Sequence, residues 1–268
     1  MSSSVTSTSL DAAFCTALGI EAVLHRWAGG QKDVFKIQRN GLVCVMKTFK
    51  NFSEREEREI AFYKKYANHP GIPKVLHQEA YGKDVVVFEE FIEGETLEDA
   101  APKFVGNWSM VRGLMANIID ILEPFWNDDI THRDLKPRNI IVKQDGTPVI
   151  IDFGIARDGN ASSLTHTGFM PRTMCFCAPE QHEGLKDQIS YRTDYFNLGI
   201  IAHYLYFANL PFGARDSEVA AHFNTKRLVL SIADGNPIKP FCAATLQFSP
   251  AQRVRNCELL RESLLQEP

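Results

Sequence analysis

Near the start of the chain, apolar residues alternate with polar ones or run together in three short stretches: IEAVLHRW (20–27), VFKIQ (34–38) and LVCVMKTF (42–49). AGG and NG part them, so the pattern predicts three β-strands joined by turns. SEREEREIAFYKKY (53–66) changes period: Ile60, Tyr63 and Ala67 recur at helical spacing, with Ser53 as N-cap and Glu56 three residues on. KVLHQ (74–78) and DVVVFEEF (84–91) return to strand character, and FIEGETLED (91–99) is a polar hinge. Beyond it the period is mostly helical. Val111, Leu114, Ile118, Leu122 and Phe125 form one stripe, with Pro124 expected to kink its end, and residues 194–208 and 254–265 read as further helices. The expectation is an α+β fold with a small β-rich N-lobe (17–92), a larger α-helical C-lobe (93–268) and a disordered Ser/Thr-rich tail (1–16).

Composition narrows the partners. The 268 residues are 44% hydrophobic and 23% charged, enough for a large core, and the net charge of −4 leaves no basic footprint for nucleic acid. No apolar run reaches membrane-spanning length, and MSSSVTSTSL has neither the basic start nor the apolar core of a secretory signal. The six cysteines are scattered without zinc-type pairing, so reduced thiols and a cytoplasmic setting are expected, with Cys175 and Cys177 read as packing thiols.

Chemistry concentrates in HRDLKPRN (132–139) and the hairpin that follows. NIIVKQDGTPVIID holds two apolar runs around Asp145-Gly146, a dipeptide suited to a two-residue type I′ turn. Such a turn sets Gln144 opposite Thr147 and, counting back along both strands, Asn139 opposite Asp152; a one-residue bulge would shift this register without separating the two residues widely. An amide oxygen beside a carboxylate is hard-oxygen ligation suited to Mg²⁺ that takes its remaining ligands from water and phosphate. Asp134 can then hold an attacking hydroxyl and Lys136 can balance charge on the transferred group, which is the logic of phosphoryl transfer. Each residue alone would read as a surface turn residue; the ordered set does not.

With these residues in place, the chain resembles the eukaryotic-type (Hanks-type) Ser/Thr protein kinase family over roughly residues 20–265. HRDLKPRN is similar to its catalytic loop, DFG (152–154) to its metal-binding triplet and APE (178–180) to the close of its activation segment. DYFNLG from Asp194 resembles the family's DxWSLG helix, SPAQR supplies Arg253 as partner for Glu180, and CVMK puts Lys47 at the phosphate-binding lysine. The resemblance implies catalysis by Asp134, Lys136 and Thr173, metal held by Asn139 and Asp152, and ATP held by Lys47, Glu59, Gly29, Gly30, Val34, Val45, Glu90, Ile92 and Ile141. It implies ATP and Mg²⁺ as cofactors, with Mn²⁺ as a substitute, and protein substrates. Glu59 is chosen as the Lys47 partner from the helix, against Glu56 on nearly the same face and against a merely solvated Glu59.

The departures from the family pattern are specific. Trp27, Gly29 and Lys32 stand at the three glycine positions of G-x-G-x-x-G-x-V when Val34 is the anchor, and Lys32 is the charge that would compensate. Val45 replaces the small alanine over the adenine. Aligning EFIEG with the hinge puts Glu89 at the gatekeeper position, where it must pair or stay protonated; a one-residue shift would put Phe88 there instead. RTMCFCAPE replaces the usual approach to APE. The implied reading is a Ser/Thr protein kinase that autophosphorylates, with Arg133 as receiver for phosphate on Thr165 or Thr167. A pseudokinase scaffold and a small-molecule phosphotransferase of the aminoglycoside or choline kinase type are the alternatives. Lys47, Asp134, Asn139 and Asp152 speak against the first; Lys136, APE and the Asp194 helix speak against the second.

Overall fold

A computed structural model describes residues 10–27, 33–49, 54–153 and 174–267, with backbone alone for residues 54–56 and 59. The chain divides into two compact units, Met1–Ile92 and Glu93–Pro268.

In the first unit, five antiparallel strands form one sheet: β1 (Ile20–Trp27), β2 (Asp33–Arg39), β3 (Leu42–Phe49), β4 (Val75–Tyr81) and β5 (Asp84–Glu90), in the order β1-β2-β3-β5-β4. The NG dipeptide turns β2 into β3, with Asn40 and Gly41 at φ 52° and 73°, the pair of left-handed residues that a type I′ turn requires. Side chains alternate across the sheet. Phe35, Ile37, Cys44, Met46, Val86 and Phe88 bury one face together with Leu18 and Ile20. The opposite face places Phe49 and Val87 against Ile60 of α2 (Glu54–Lys65).

Part of the span expected as a disordered tail is structured. Ala12–Ala17 form a helix, α1, capped by Asp11, whose side chain accepts from Ala13 N–H at 3.0 Å. Leu10, Phe14 and Cys15 pack on the first core, and Phe14 meets Tyr81 edge to face at 4.8 Å, so this segment has apolar area to bury.

The second unit begins in what the sequence presents as a hinge. Glu95–Thr96 (β6) joins a three-stranded sheet with β7 (Ile140–Val142) and β8 (Pro148–Ile150), and Leu97–Ala100 (α3) follows it. Thr96 Oγ1 accepts from Asp99 N–H at 3.2 Å, so a stretch rich in polar residues starts a helix. The further α-helices among the described residues are α4 (Trp108–Asn127), α5 (Pro179–His182), α6 (Tyr191–Phe207), α7 (Asp216–Asn224), α8 (Lys239–Thr245) and α9 (Cys257–Leu265). The predicted stripe of α4 is buried, and the helix runs past Pro124 to Asn127, where the hydrogen bond that proline removes falls in its last turns. α6 is buried around most of its circumference, which makes it the central post of this unit. Among the described residues no helix is long and apolar enough to cross a membrane.

The hairpin register differs from the expectation. Val142 stands opposite Pro148, and Ile151 N–H donates to Asn139 O at 2.9 Å, so Asn139 faces Ile151 and not Asp152. The loop has three residues: Lys143 N–H donates to Thr147 O at 3.0 Å, Gly146 N–H to Lys143 O at 2.9 Å, and Gly146 takes φ 83°. That is a turn followed by a left-handed glycine, an arrangement DG serves as readily as the two-residue turn. Asp145 Oδ1 holds it closed by accepting from Thr147 N–H at 2.9 Å.

Candidate active site

In the first unit the ladder sets Val34 opposite Lys47, and Lys47 opposite Val87, so all three share the face that bears Val45. The same ladder sets Glu89 opposite Val45 and therefore on this face, diagonal to Lys47. Lys47 Nζ meets Glu89 Oε2 at 2.7 Å, and both side chains are buried. Phe88 points the other way, into the core beneath Arg39, whose guanidinium lies 4.2 Å from its ring centre. Strand alternation thus removes the alternative that placed Phe88 at the gatekeeper position. Lys47 Nζ also lies 5.7 Å from the ring centre of Tyr63, a buried residue of α2.

Glu90 turns to the opposite face. Its N–H donates to Lys74 O at 2.9 Å and its Oε2 accepts from Lys74 N–H at 3.4 Å, so its side chain is engaged with the chain before β4. Ile92 follows the strand end, half-buried. Glu59 lies in α2, its side chain outside the described residues, as are Gly29, Gly30 and Lys32 entirely.

In the second unit Asp134 sits between two donors. Lys136 Nζ approaches its Oδ2 at 2.8 Å and Asn139 Nδ2 at 3.2 Å, while Asn139 Nδ2 also donates to Asp134 O at 2.9 Å. Leu135 and Pro137 are buried on either side of Lys136, so the backbone anchors while the polar side chains turn outward. Ile141 lies in the central strand of the small sheet, half-buried. Phe153 is buried against Phe125 of α4, edge to face at 5.1 Å, and His132 at 4.5 Å, which ties Phe153 to the loop that bears Asp134. Asp152 just before it takes φ 56°, a left-handed conformation that aspartate tolerates better than most residues.

Asp194 is the residue whose role pattern reading left undefined beyond its helix. From the first turn of α6 its Oδ2 accepts from Trp126 Nε1 and His132 N–H, both at 2.8 Å, and its Oδ1 from Arg133 N–H at 2.9 Å. Burial pushes its carboxyl up to about 6, while the three donors it accepts from pull the other way by stabilising the anion. It clamps the loop at Arg133, whose φ of 67° needs such support. Burial likewise drives His132 down to about 4. Its Nδ1 accepts from Asp134 N–H at 3.2 Å, which selects the neutral tautomer protonated at Nε2. The signal for Asp194 was a lone acidic residue in the first turn of a largely buried helix. Its partners lie more than sixty positions away.

Glu180 and Arg253 form a bidentate pair at 2.6 and 2.7 Å, both buried. Thr193 Oγ1 donates to Glu180 Oε1 at 2.7 Å, and Arg253 also reaches the carbonyls of Arg192, Gln247 and Phe248. The expected contact between these two residues is therefore present. Thr165, Thr167 and Thr173 lie outside the described residues.

The donor set suits a hard divalent cation. Both side-chain hydrogen bonds that Asn139 makes among the described residues use Nδ2, which leaves its Oδ1 for a metal. With the Asp152 carboxylate this gives two hard oxygens of the kind that Mg²⁺ takes beside water and phosphate.

The sequence matches the family description "Protein kinase domain" over residues 28–265. A probable serine/threonine-protein kinase of Clostridium perfringens is 28% identical over 200 residues, covering 71% of this chain and 29% of that protein. Serine/threonine-protein kinase pkn3 of Myxococcus xanthus is 29% identical over 232 residues, 78% of this chain and 40% of its own length. Serine/threonine-protein kinase PknA of a Nostoc species is 31% identical over 223 residues, with shares of 79% and 38%. The chain thus spans well under half of these curated relatives. The matched span contains the buried lysine of β3, the Asp134 loop, the Asp194 clamp and the Glu180–Arg253 pair in one continuous register, and the chain belongs to the protein kinase domain family.

Proposed function

We propose that this chain is an ATP- and Mg²⁺-dependent catalytic domain that phosphorylates serine or threonine hydroxyls of proteins, its own among them. The observation that carries this reading is Asp134, a carboxylate held by Lys136 at 2.8 Å and Asn139 at 3.2 Å on a loop clamped by Asp194. Asp134 accepts the proton of the attacking hydroxyl as the new P–O bond forms. Lys136, already beside it, neutralises charge that develops on the transferred group. Asn139 and Asp152 would hold Mg²⁺, which would supply charge neutralisation at the phosphates. Lys47 holds the phosphates from the first unit, and Val34 and Val45 on its face supply apolar surface for the base.

The alcohol specificity rests on Lys136 and Thr173, and it is supported by the relatives of Myxococcus xanthus and Nostoc, which are serine/threonine-protein kinases. Self-modification rests on Arg133 and the hydroxyls of Thr165 and Thr167; peptide mapping after incubation with ATP locates any phosphate. The central test is Asp134→Asn, assayed with labelled ATP, Mg²⁺ and a generic acceptor protein. Transfer falls about a hundred- to ten-thousand-fold while ATP binding stays near wild type. Undiminished transfer in this variant overturns the reading.

A further inference from the structure

The Lys47–Glu89 pair lies outside the roles assigned above. A carboxylate occupies the position that closes the back of the nucleotide site, and it is spent on the lysine. We infer that Glu89 is a positioning residue, which holds the ammonium of Lys47 in place for the phosphates from within the sheet itself. This inference rests on the kinase reading proposed above.

Three observations carry it. First, Lys47 and Glu89 are diagonal neighbours across the β3–β5 ladder, within reach for two long side chains, and their charged atoms are 2.7 Å apart. Second, the exposures of the two side chains are only 5% and 4%, so each charge needs the other to stay ionised. Third, the register that pairs them is pinned from the opposite face. Met46, Val86 and Phe88 fill the core there, and a one-residue slip would expose them. The carboxylate is therefore delivered by hydrogen-bonded backbone, which no shift of α2 alters. Glu89 takes one of the three N–H donors of the ammonium and fixes the direction of the others. Tyr63, 5.7 Å from Nζ, bounds the lysine from α2.

The test compares binding of ATP with binding of adenosine, which has no phosphate. If Glu89 acts through Lys47, Glu89→Gln weakens ATP binding about tenfold and changes adenosine binding by less than about twofold. In a Lys47→Met background, Glu89→Met then costs ATP binding no more than about twofold further, because the group it positions has gone. The double variant replaces two buried charges with apolar side chains of similar length, a change that buried pairs tolerate, so the comparison stands even if Glu89→Gln does not fold. Equal losses for ATP and adenosine, or a large further loss in the Lys47→Met background, overturn the inference and leave the kinase reading intact. A wild-type chain that binds neither compound overturns both.

Discussion

His132 and Asp194 are buried within one hydrogen bond of each other, and their protons move in opposite senses. His132 titrates at about 4 in the folded chain and near 6.5 when unfolded, so acid favours the unfolded state. Its contribution is complete above the ordinary histidine range and is lost as pH falls through 6.5 towards 4. Asp194, raised to about 6, contributes most below the ordinary carboxylate range and loses that contribution as pH rises through 6. His132→Phe keeps a ring against Phe153 and removes one titration. The variant is expected to be less stable at pH 7, where Asp134 N–H loses its acceptor. Urea unfolding between pH 7 and pH 5 is expected to close the gap to wild type by about 2 kcal/mol, since only wild type takes up a proton on unfolding and so loses stability as pH falls. A gap that stays constant with pH would show that His132 is not held neutral. Neither titration was legible from HRD or DYFNLG alone, because a pKa shift depends on burial, and burial here depends on α4 and α6.

Two glycines on helices separate packing from propensity. A β-carbon on Gly199 of α6 would lie 2.3 Å from Thr245 Oγ1 and 2.8 Å from Leu246, so α6 and the end of α8 meet with no room for a methyl group. Gly113 of α4 faces open space. Gly199→Ala is expected to destabilise by about 1–3 kcal/mol through overpacking, and Gly113→Ala to stabilise by about 0.5–1 kcal/mol through helix propensity. Denaturant midpoints of the two variants should thus move in opposite directions; a shared direction would refute the packing argument. Elements with their own period were legible beforehand: the first three strands, α2, and the α4 stripe follow the pattern closely. The β7–β8 register was not, since DG supports two loop lengths and strands of three residues are too short to choose between them. α7 and α8 were not foreseen either, for short helices carry little periodic signal.

For the whole molecule, the proposed cofactors should act as stabilisers. A ligand that binds only the folded chain adds about 2.7 kcal/mol at a hundred times its Kd, or roughly 5–10 °C in Tm. Scanning calorimetry with ATP and Mg²⁺ is expected to show that rise, with most of it lost on chelating the metal. Asp152→Asn should remove most of the Mg²⁺-dependent part, and asparagine tolerates the left-handed φ of 56° at this position, so Tm without nucleotide should change little. An equal rise with and without Mg²⁺ would count against metal binding at Asp152. The chain by itself determined which residue types recur at which intervals: alternation marks strands, a period near 3.6 marks helices, and the order of Lys47, HRDLKPRN, DFG and APE marks the family. These are local properties, set by backbone geometry over a few residues. Tertiary structure alone decided that Glu89 and not Phe88 faces Lys47, that Asp194 clamps Arg133, and that Asn139 stands beside Ile151. Each of those depends on a register or a burial that joins residues from separate elements, and no run of neighbouring side chains encodes it.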